Sequence, residues 1–316
     1  MGHDHDHDHD HHHGHTHDHA GRIDDALTAS KAGIRAVIIS LVILALTATI
    51  QIAIVTASGS VALLADTIHN FSDALTAIPL WIAFSLSRRT ATRRYTYGLG
   101  RAEDLAGLFV VAVIAASAVV AGVEAARRLV HPVAVSHVGW VAAAGVVGFL
   151  GNELVAHYRI RVGTRIGSAA LRADGLHARA DGLTSLAVVL GAIGVAFGFP
   201  VADPIIGLLI AGLIVVVMVK AARDVFARLL DGVDPELVDT AYTTLADHPG
   251  VVGVNRVRMR WVGLRLDADV ELDVDPELTL RQAHALAHDA EHALAHAIPK
   301  LDNAVVHAYP AHAGAH

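Results

Sequence analysis

Six long apolar segments occupy most of the first two thirds of the chain, and short polar stretches separate them. They run approximately over residues 34–56, 61–87, 102–123, 138–156, 176–199 and 205–221. Each is close to the roughly 20 residues that a helix needs to cross a bilayer. The pattern therefore predicts six transmembrane helices.

After Arg223 the pattern becomes that of a small soluble domain. Pro235 after Asp234 and a capping box of Thr279 with Gln282 are typical of helix starts. Segments that alternate apolar and polar residues predict half-buried strands. The predicted order is helix, strand, strand, helix, strand, over 234–248, 251–260, 264–273, 279–296 and 304–309. The expected fold is six transmembrane helices followed by a ferredoxin-like α+β domain.

Composition agrees with a polytopic membrane protein, since 53% of the residues are hydrophobic and only 17% are charged. The absence of cysteine excludes disulfides and thiolate metal sites. A net charge of −7 gives no support to nucleic-acid binding. The N-terminus has neither the basic nor the apolar region of a cleavable signal peptide.

Residues 3–19 are almost entirely histidine and aspartate, a composition that cannot form a packed core. We expect a disordered cytosolic tail over 1–30, a membrane domain over 31–223 and a cytosolic domain over 224–316. The tail can gather metal ions, or it can be an affinity tag. The interruptions at Gly14 and Thr16 favour the metal-gathering tail.

Arginine is concentrated in every second connection between the predicted spans. These residues follow the second span (Arg88, Arg89, Arg93, Arg94, Arg101), the fourth (Arg159, Arg161, Arg165, Arg172) and, with Lys220, the sixth (Arg223, Arg228). The opposite connections are short or nearly uncharged, with Arg127 and Arg128 in a middle loop. The positive-inside rule then places both termini in the cytoplasm of a multi-pass inner (plasma) membrane protein.

One pattern, A-D-x-x-H-x-x-x-D, occurs twice, over 65–73 and over 173–181. Residues four apart share a helix face, so His69 with Asp73 and His177 with Asp181 each present an imidazole beside a carboxylate. Four such ligands suit a tetrahedral divalent cation, zinc above all. Ionisable groups at membrane depth are costly and usually functional, and transporters hold substrate near the midplane. The sequence predicts a metal site between these helices.

Further polar residues accompany the motif. Asp66 and Asp174 each lie three residues before a motif histidine. They are candidates to orient the imidazoles, or they pair with arginines at the cytoplasmic mouth, and both interpretations stay open. Asn152 and Glu153 are unusual in a lipid-facing helix, so we expect them to face the bundle interior.

Histidine also recurs at every fourth position of the predicted helix 279–296, at 284, 288, 292 and 296. Residues at this spacing lie near one face of a helix. The face can be merely solvated, or it can carry metal ligands. In the second case His284 meets Glu271 and His307 across the sheet and holds a regulatory metal.

Six spans, the paired H-x-x-x-D motifs, the histidine-rich tail and the αββαβ domain together resemble the cation diffusion facilitator family of divalent-metal transporters. The resemblance covers about 31–310. It implies a homodimer that exchanges zinc for protons, needs no cofactor and carries Zn²⁺ as substrate. It places the transport site at His69, Asp73, His177 and Asp181. It further implies a charge contact in the dimer, for which Arg101 and Asp231 are the matching candidates.

Two departures from the family pattern matter. The stretch 95–101 has no histidine where many relatives place metal ligands, so we expect no site there. In the cytosolic domain His284 and His307 match family ligand positions. Asn255, Glu271 and Tyr309 stand where relatives can have histidine or aspartate. A cytosolic site is then partial or differently built.

The expected mechanism is cation efflux by proton antiport. Histidine and aspartate bind metal only when unprotonated, and an ordinary imidazole pKa is about 6.5. A zinc protease is disfavoured, because Asn70 and Ala178 follow the motif histidines where H-E-x-x-H has glutamate. Four protein ligands also leave no position for water, so we expect no enzyme. The alternative of a membrane-bound metal sensor or store without translocation stays open.

Overall fold

The computed structural model describes residues 17–58, 77–130, 138–199 and 201–311. Its first six helices are α1 (His17–Ser58), α2 (Ala77–Ser87), α3 (Ala102–Val130), α4 (Val138–Ile166), α5 (Ala169–Ala196) and α6 (Ala202–Leu229). Five of these, all but α2, contain a stretch long and apolar enough to cross a membrane. The predicted second span is described only at its end, as α2, and the rest of it lies outside the described residues. A helical membrane domain is confirmed.

The prediction of an arginine-rich loop after the fourth span is wrong. Helix α4 continues to Ile166 and α5 begins at Ala169, so only Gly167 and Ser168 connect them. Gly167 supplies a left-handed conformation at φ +75°, and the Ser168 side chain caps α5 by accepting a hydrogen bond from the backbone of Leu171. Arginine is a good helix former, so a helix can run on beyond the apolar stretch.

The helix ends therefore carry the charges that were expected in loops. Within the described residues, Arg159, Arg161 and Arg165 belong to α4, Arg172 to α5, Arg127 and Arg128 to α3, and Arg223 and Arg228 to α6. The cationic flank of the bundle is thus held on rigid elements. Hydropathy alone could not find these ends, because it marks the apolar stretch rather than the helix.

Helix α5 is the centre of the described bundle, since it packs against α3, α4 and α6. Its most extensive packing is against α4. A Cβ atom on Gly175 would lie 2.7 Å from Cγ1 and 2.9 Å from the backbone nitrogen of Ile160. Small residues allow membrane helices to approach this closely, and the contact fixes α5 against α4.

Gly175→Ala is expected to lower the thermal unfolding midpoint of the detergent-solubilised protein. The added methyl group meets backbone of α4 that cannot turn away, and overpacking of this kind costs about 1–3 kcal/mol. Gly212→Ala in α6 is the matched control, because no atom of the described chain outside the adjacent backbone of its own helix lies within 4 Å of its Cβ position. The control should leave the midpoint unchanged or raise it. Equal losses in both variants would contradict the close approach.

The C-terminal domain has the predicted order of elements. It consists of α7 (Pro235–Ala246), β1 (Val251–Val262), β2 (Arg265–Val274), α8 (Leu280–Ala297) and β3 (Leu301–Pro310). The sheet order is β1-β2-β3, with β1 and β2 antiparallel and β2 and β3 parallel. The capping box of Thr279 and Gln282 opens α8, as predicted. The α+β fold class is confirmed.

Two helices cover one face of this sheet. Alternate residues of β2 are buried beneath them, together with apolar residues of α7 and α8 (Leu245, Leu266, Val270, Leu272, Leu294). Because strand side chains alternate, the intervening residues point to the uncovered face. That alternation decides which polar residues of the domain can meet.

Charged pairs cover the other face. Arg256, Arg258 and Arg260 of β1 stand opposite Glu271, Asp269 and Asp267 of β2. Opposite charges in such cross-strand positions contribute about 0.2–1 kcal/mol each. Partial burial nevertheless raises the pKa of Asp267 above its ordinary 3.8, although Arg260 opposes the shift. The folded domain therefore loses stability as this carboxyl ionises with rising pH.

Arg228, near the end of α6, joins the membrane helices to the C-terminal domain. This buried guanidinium donates hydrogen bonds to the carbonyl oxygen of Gly263, at 2.8 Å, and to that of Gly167. It also lies 4.2 Å from the ring centroid of Trp261. One side chain thus contacts the β1–β2 turn and the α4–α5 turn.

Candidate functional site

The second copy of the repeated motif lies buried on α5. Nε2 of His177 is 3.7 Å from Oδ2 of Asp181, and both side chains are enclosed by the bundle. Two ligand atoms of a tetrahedral zinc ion, with bonds of about 2.1 Å, lie about 3.4 Å apart. The observed spacing is close to what one cation shared by both groups requires.

The first copy of the motif cannot be placed in the same way. His69 and Asp73, with Asp66 before them, lie outside the described residues. The convergence of the two motifs on one cation therefore stays a prediction from the sequence.

Asp174 forms a buried ion pair on the same helix. Its Oδ2 is 2.8 Å from Nη1 of Arg159 on α4, and the two side chains are 0% and 2% exposed. The sequence left open whether this carboxylate orients the imidazole or pairs with an arginine. In the structure it pairs with an arginine, and that arginine lies in helix α4 rather than in a loop. Three residues separate Asp174 from His177, which is about 4.5 Å along the axis. A neutralised charge pair thus lies next to the candidate ligands.

The two polar residues of α4 have different surroundings. Asn152 is buried, and its Cβ lies 3.4 Å from the position that a Cβ on Gly182 of α5 would take. It faces the interior beside Asp181, as expected. Glu153 does not, because its carboxylate accepts hydrogen bonds of 2.6 and 3.2 Å from Arg179 and both side chains are more than a third exposed.

Two buried polar residues that the sequence analysis missed lie one turn beyond Asp181. Ser185 Oγ and Gln51 Nε2 lie 2.8 and 2.9 Å from the Cβ position of Gly148, so both side chains meet over that glycine. Gln51 also donates a hydrogen bond of 3.3 Å to the carbonyl of Ala144. The buried polar side of α5 thus continues past the candidate ligands. A glutamine inside an apolar span was the signal available beforehand.

The predicted cytosolic metal site does not form within one chain. Glu271 and His307 are neighbours in the β2–β3 register and lie on the uncovered face, where Arg256 pairs with Glu271. His284 lies on α8, in a cavity that Val306 also lines. Since Val306 and His307 are consecutive in β3, they point to opposite faces, and the sheet separates His284 from the other two.

The described part of the chain contains no group of three or more histidine, aspartate or glutamate side chains close enough to hold a metal ion. Asn255, at another position where relatives carry ligands, donates a hydrogen bond of 2.7 Å to Asp273. A cytosolic site, if built from these residues, requires ligands from more than one chain.

Arg101 and Asp231, the candidates for a charge contact in the dimer, contact one another within a single chain. A nitrogen of the Arg101 guanidinium donates to Oδ1 of Asp231 within the same chain, and both side chains are nearly half exposed. Exposed pairs of this kind contribute about 0–1 kcal/mol. The contact positions the loop before α3 against the end of α6.

Comparison with known proteins identifies both parts of the chain. A family model described as the cation efflux transmembrane domain matches residues 37–230. A second model, described as the cytoplasmic domain of cation efflux proteins, matches residues 233–311. Together the two models account for the bundle and for the α+β domain.

Individual proteins resemble the chain over most of its length. A probable cation efflux system protein of Mycobacterium tuberculosis (strain H37Rv) is 67% identical over 295 residues, which cover 93% of this chain and 89% of the relative. Magnetosome protein MamB of Paramagnetospirillum magneticum is 28% identical over 259 residues, covering 82% of this chain and 88% of that protein. A solved structure of MamM-CTD is 30% identical, covers 24% of this chain and 96% of that chain, and has a TM-score of 0.24.

Proposed function

Because the chain belongs to the cation diffusion facilitator family of divalent-cation efflux transporters, we propose that it exports Zn²⁺ from the cytoplasm in exchange for protons. The chain is a multi-pass membrane transporter and not an enzyme. The proposed transport site consists of His69, Asp73, His177 and Asp181. The observation that carries the proposal is the buried pair of His177 and Asp181 at 3.7 Å on the central helix of the bundle.

Zinc is the proposed cargo because of the ligand chemistry. Two imidazoles and two carboxylates suit Zn²⁺ and tolerate Cd²⁺, whereas Mn²⁺ and Mg²⁺ prefer more oxygen ligands. The sequence has no cysteine, which disfavours Cu⁺. The Arg159–Asp174 pair beside the site is neutral as a whole, so it adds no net repulsion to an arriving cation.

Proton coupling follows from the same ligands. Loading of the cation requires unprotonated histidine and aspartate, and protonation of these groups on the opposite side expels it. Alternating access then needs α5 and its facing helix to open first to one side and then to the other. The arginine-bearing ends of α4 and α6 favour a cytoplasmic location for both termini.

We further propose that the transporter is a homodimer. The C-terminal family model supports this assembly. The mass of the detergent-solubilised protein, measured by light scattering, should be twice that of the chain. A monomer at micromolar concentration would count against the dimer without affecting the transport site.

The test of transport is Zn²⁺ uptake into sealed proteoliposomes, with and without an imposed pH gradient. A gradient that is acidic inside should accelerate uptake, because protons leave as zinc enters. Zinc uptake at the same rate with and without the pH gradient would contradict proton antiport, but it would still support zinc transport. Zinc binding without any flux would instead favour a membrane-bound sensor or store.

A further inference from the structure

Two exposed histidines near the end of α8 direct their rings toward one another. Nε2 of His292 lies 3.1 Å from Nε2 of His296, and the ring planes cross at 88° with centroids 4.4 Å apart. The buried side chains of Ala290, Leu294 and Ile298 hold the opposite side of this segment against the domain core. The two imidazoles are therefore presented to solvent on a fixed piece of helix.

The spacing of the two nitrogens is that of a chelate. A metal ion with two Zn–N bonds of 2.0–2.1 Å in a tetrahedral arrangement holds its ligand atoms about 3.3 Å apart. We propose that His292 and His296 form a surface chelating site for a borderline divalent transition cation such as Zn²⁺, with water completing the coordination. Neutral imidazole is a preferred ligand of these ions.

This site differs from the cytosolic site expected from the sequence. That set contained His284, which lies two turns before His292, together with two residues on the uncovered face of the sheet. The pair on α8 needs neither a strand residue nor a second chain. It also does not rest on the proposed transport function, because it lies in the soluble domain.

Binding at this pair has a local structural consequence. A cation held by residues four apart closes one turn of the helix, so it opposes opening of the last turns of α8. The competing explanation of the short distance is an N–H···N hydrogen bond between two neutral rings. Only the chelate makes the stability of this segment depend on metal.

Hydrogen exchange of the full-length protein in detergent tests the site. Peptides from Leu280–Ala297 are followed by mass spectrometry at free Zn²⁺ concentrations set by a metal buffer. At ten times the free Zn²⁺ concentration that halves the exchange rate, exchange of the last turns of α8 should be slowed about tenfold. The same result is expected in Asp181→Ala, which removes a ligand of the proposed transport site, so failure of the transport proposal would not affect this outcome.

The paired variant His292→Gln with His296→Gln should lose the zinc effect. Glutamine is a good helix former, so exchange without metal should match that of the native chain. The matched control is His284→Gln with His288→Gln, which has the same spacing on the same helix and should keep the effect. Protection that persists in the first variant, or a native α8 that does not respond to Zn²⁺, would overturn the assignment.

Discussion

Asp181→Ala is expected to reduce Zn²⁺ uptake into proteoliposomes by at least about 100-fold. Removal of a group that merely orients a ligand already costs 10–100-fold in metal affinity or activity, and Asp181 is proposed as a ligand. The loss should appear in the transport rate under a pH gradient as well as without one. Asp73→Ala on the second span should behave in the same way, since the two carboxylates are proposed to share one cation.

A second carboxylate of the membrane domain provides the control. Asp224 of α6 lies at the base of the bundle, 3.5 Å from Arg172, with its side chain more than a third exposed. Asp224→Ala should keep uptake close to the native level, because its removal leaves His177 and Asp181 in place. Uptake by Asp181→Ala that equals that of the control would exclude Asp181 as a ligand.

Asp174→Ala is expected to destabilise the protein by about 3–5 kcal/mol, because it leaves the guanidinium of Arg159 buried without a counter-charge. The effect should appear as a large fall in the thermal unfolding midpoint in detergent and in the yield of folded protein. An apolar replacement of both partners avoids that cost, since well-packed hydrophobic residues often substitute for a buried ion pair. The double variant Arg159→Met with Asp174→Leu should therefore recover much of the lost stability.

Two results would contradict this expectation. One is a native unfolding midpoint in Asp174→Ala, and the other is a double variant that is no more stable than the single one. Transport by the double variant separates two roles of the pair. If its uptake is native, the pair serves stability alone, whereas a stable protein with poor uptake would give Asp174 a part in positioning His177.

The sequence predicted those features that depend on local pattern. Lengths of apolar stretches located the five long membrane helices of the described residues, and the capping box of Thr279 and Gln282 located the start of α8. The spacing of four between His177 and Asp181 was enough to place them on one face of α5. These features are set by helix geometry and need no knowledge of the neighbouring elements.

Features that depend on contacts between helices or strands could not be predicted as well from the sequence. Arg159 could not be named as the partner of Asp174, because the choice among the arginines near α4 depends on how the two helices pack. The predicted cytosolic metal site of Glu271, His284 and His307 does not form within one chain for a simpler reason. Val306 and His307 are consecutive in β3, so their side chains point to opposite faces of the sheet, and His284 lies on the face of Val306.

The position of Arg228 has a mechanical consequence. Its guanidinium bonds both to the turn that starts α5 and to the turn between β1 and β2. A displacement of the helix that carries His177 must therefore either break one of these bonds or carry the soluble domain with it. Within the described residues, the backbone contact of Gly263 with Gly100 and the burial of Leu264 beside Leu171 add to this connection. We therefore expect a change in the position of the soluble domain, such as one produced by a bound cation, to be coupled to the position of α5.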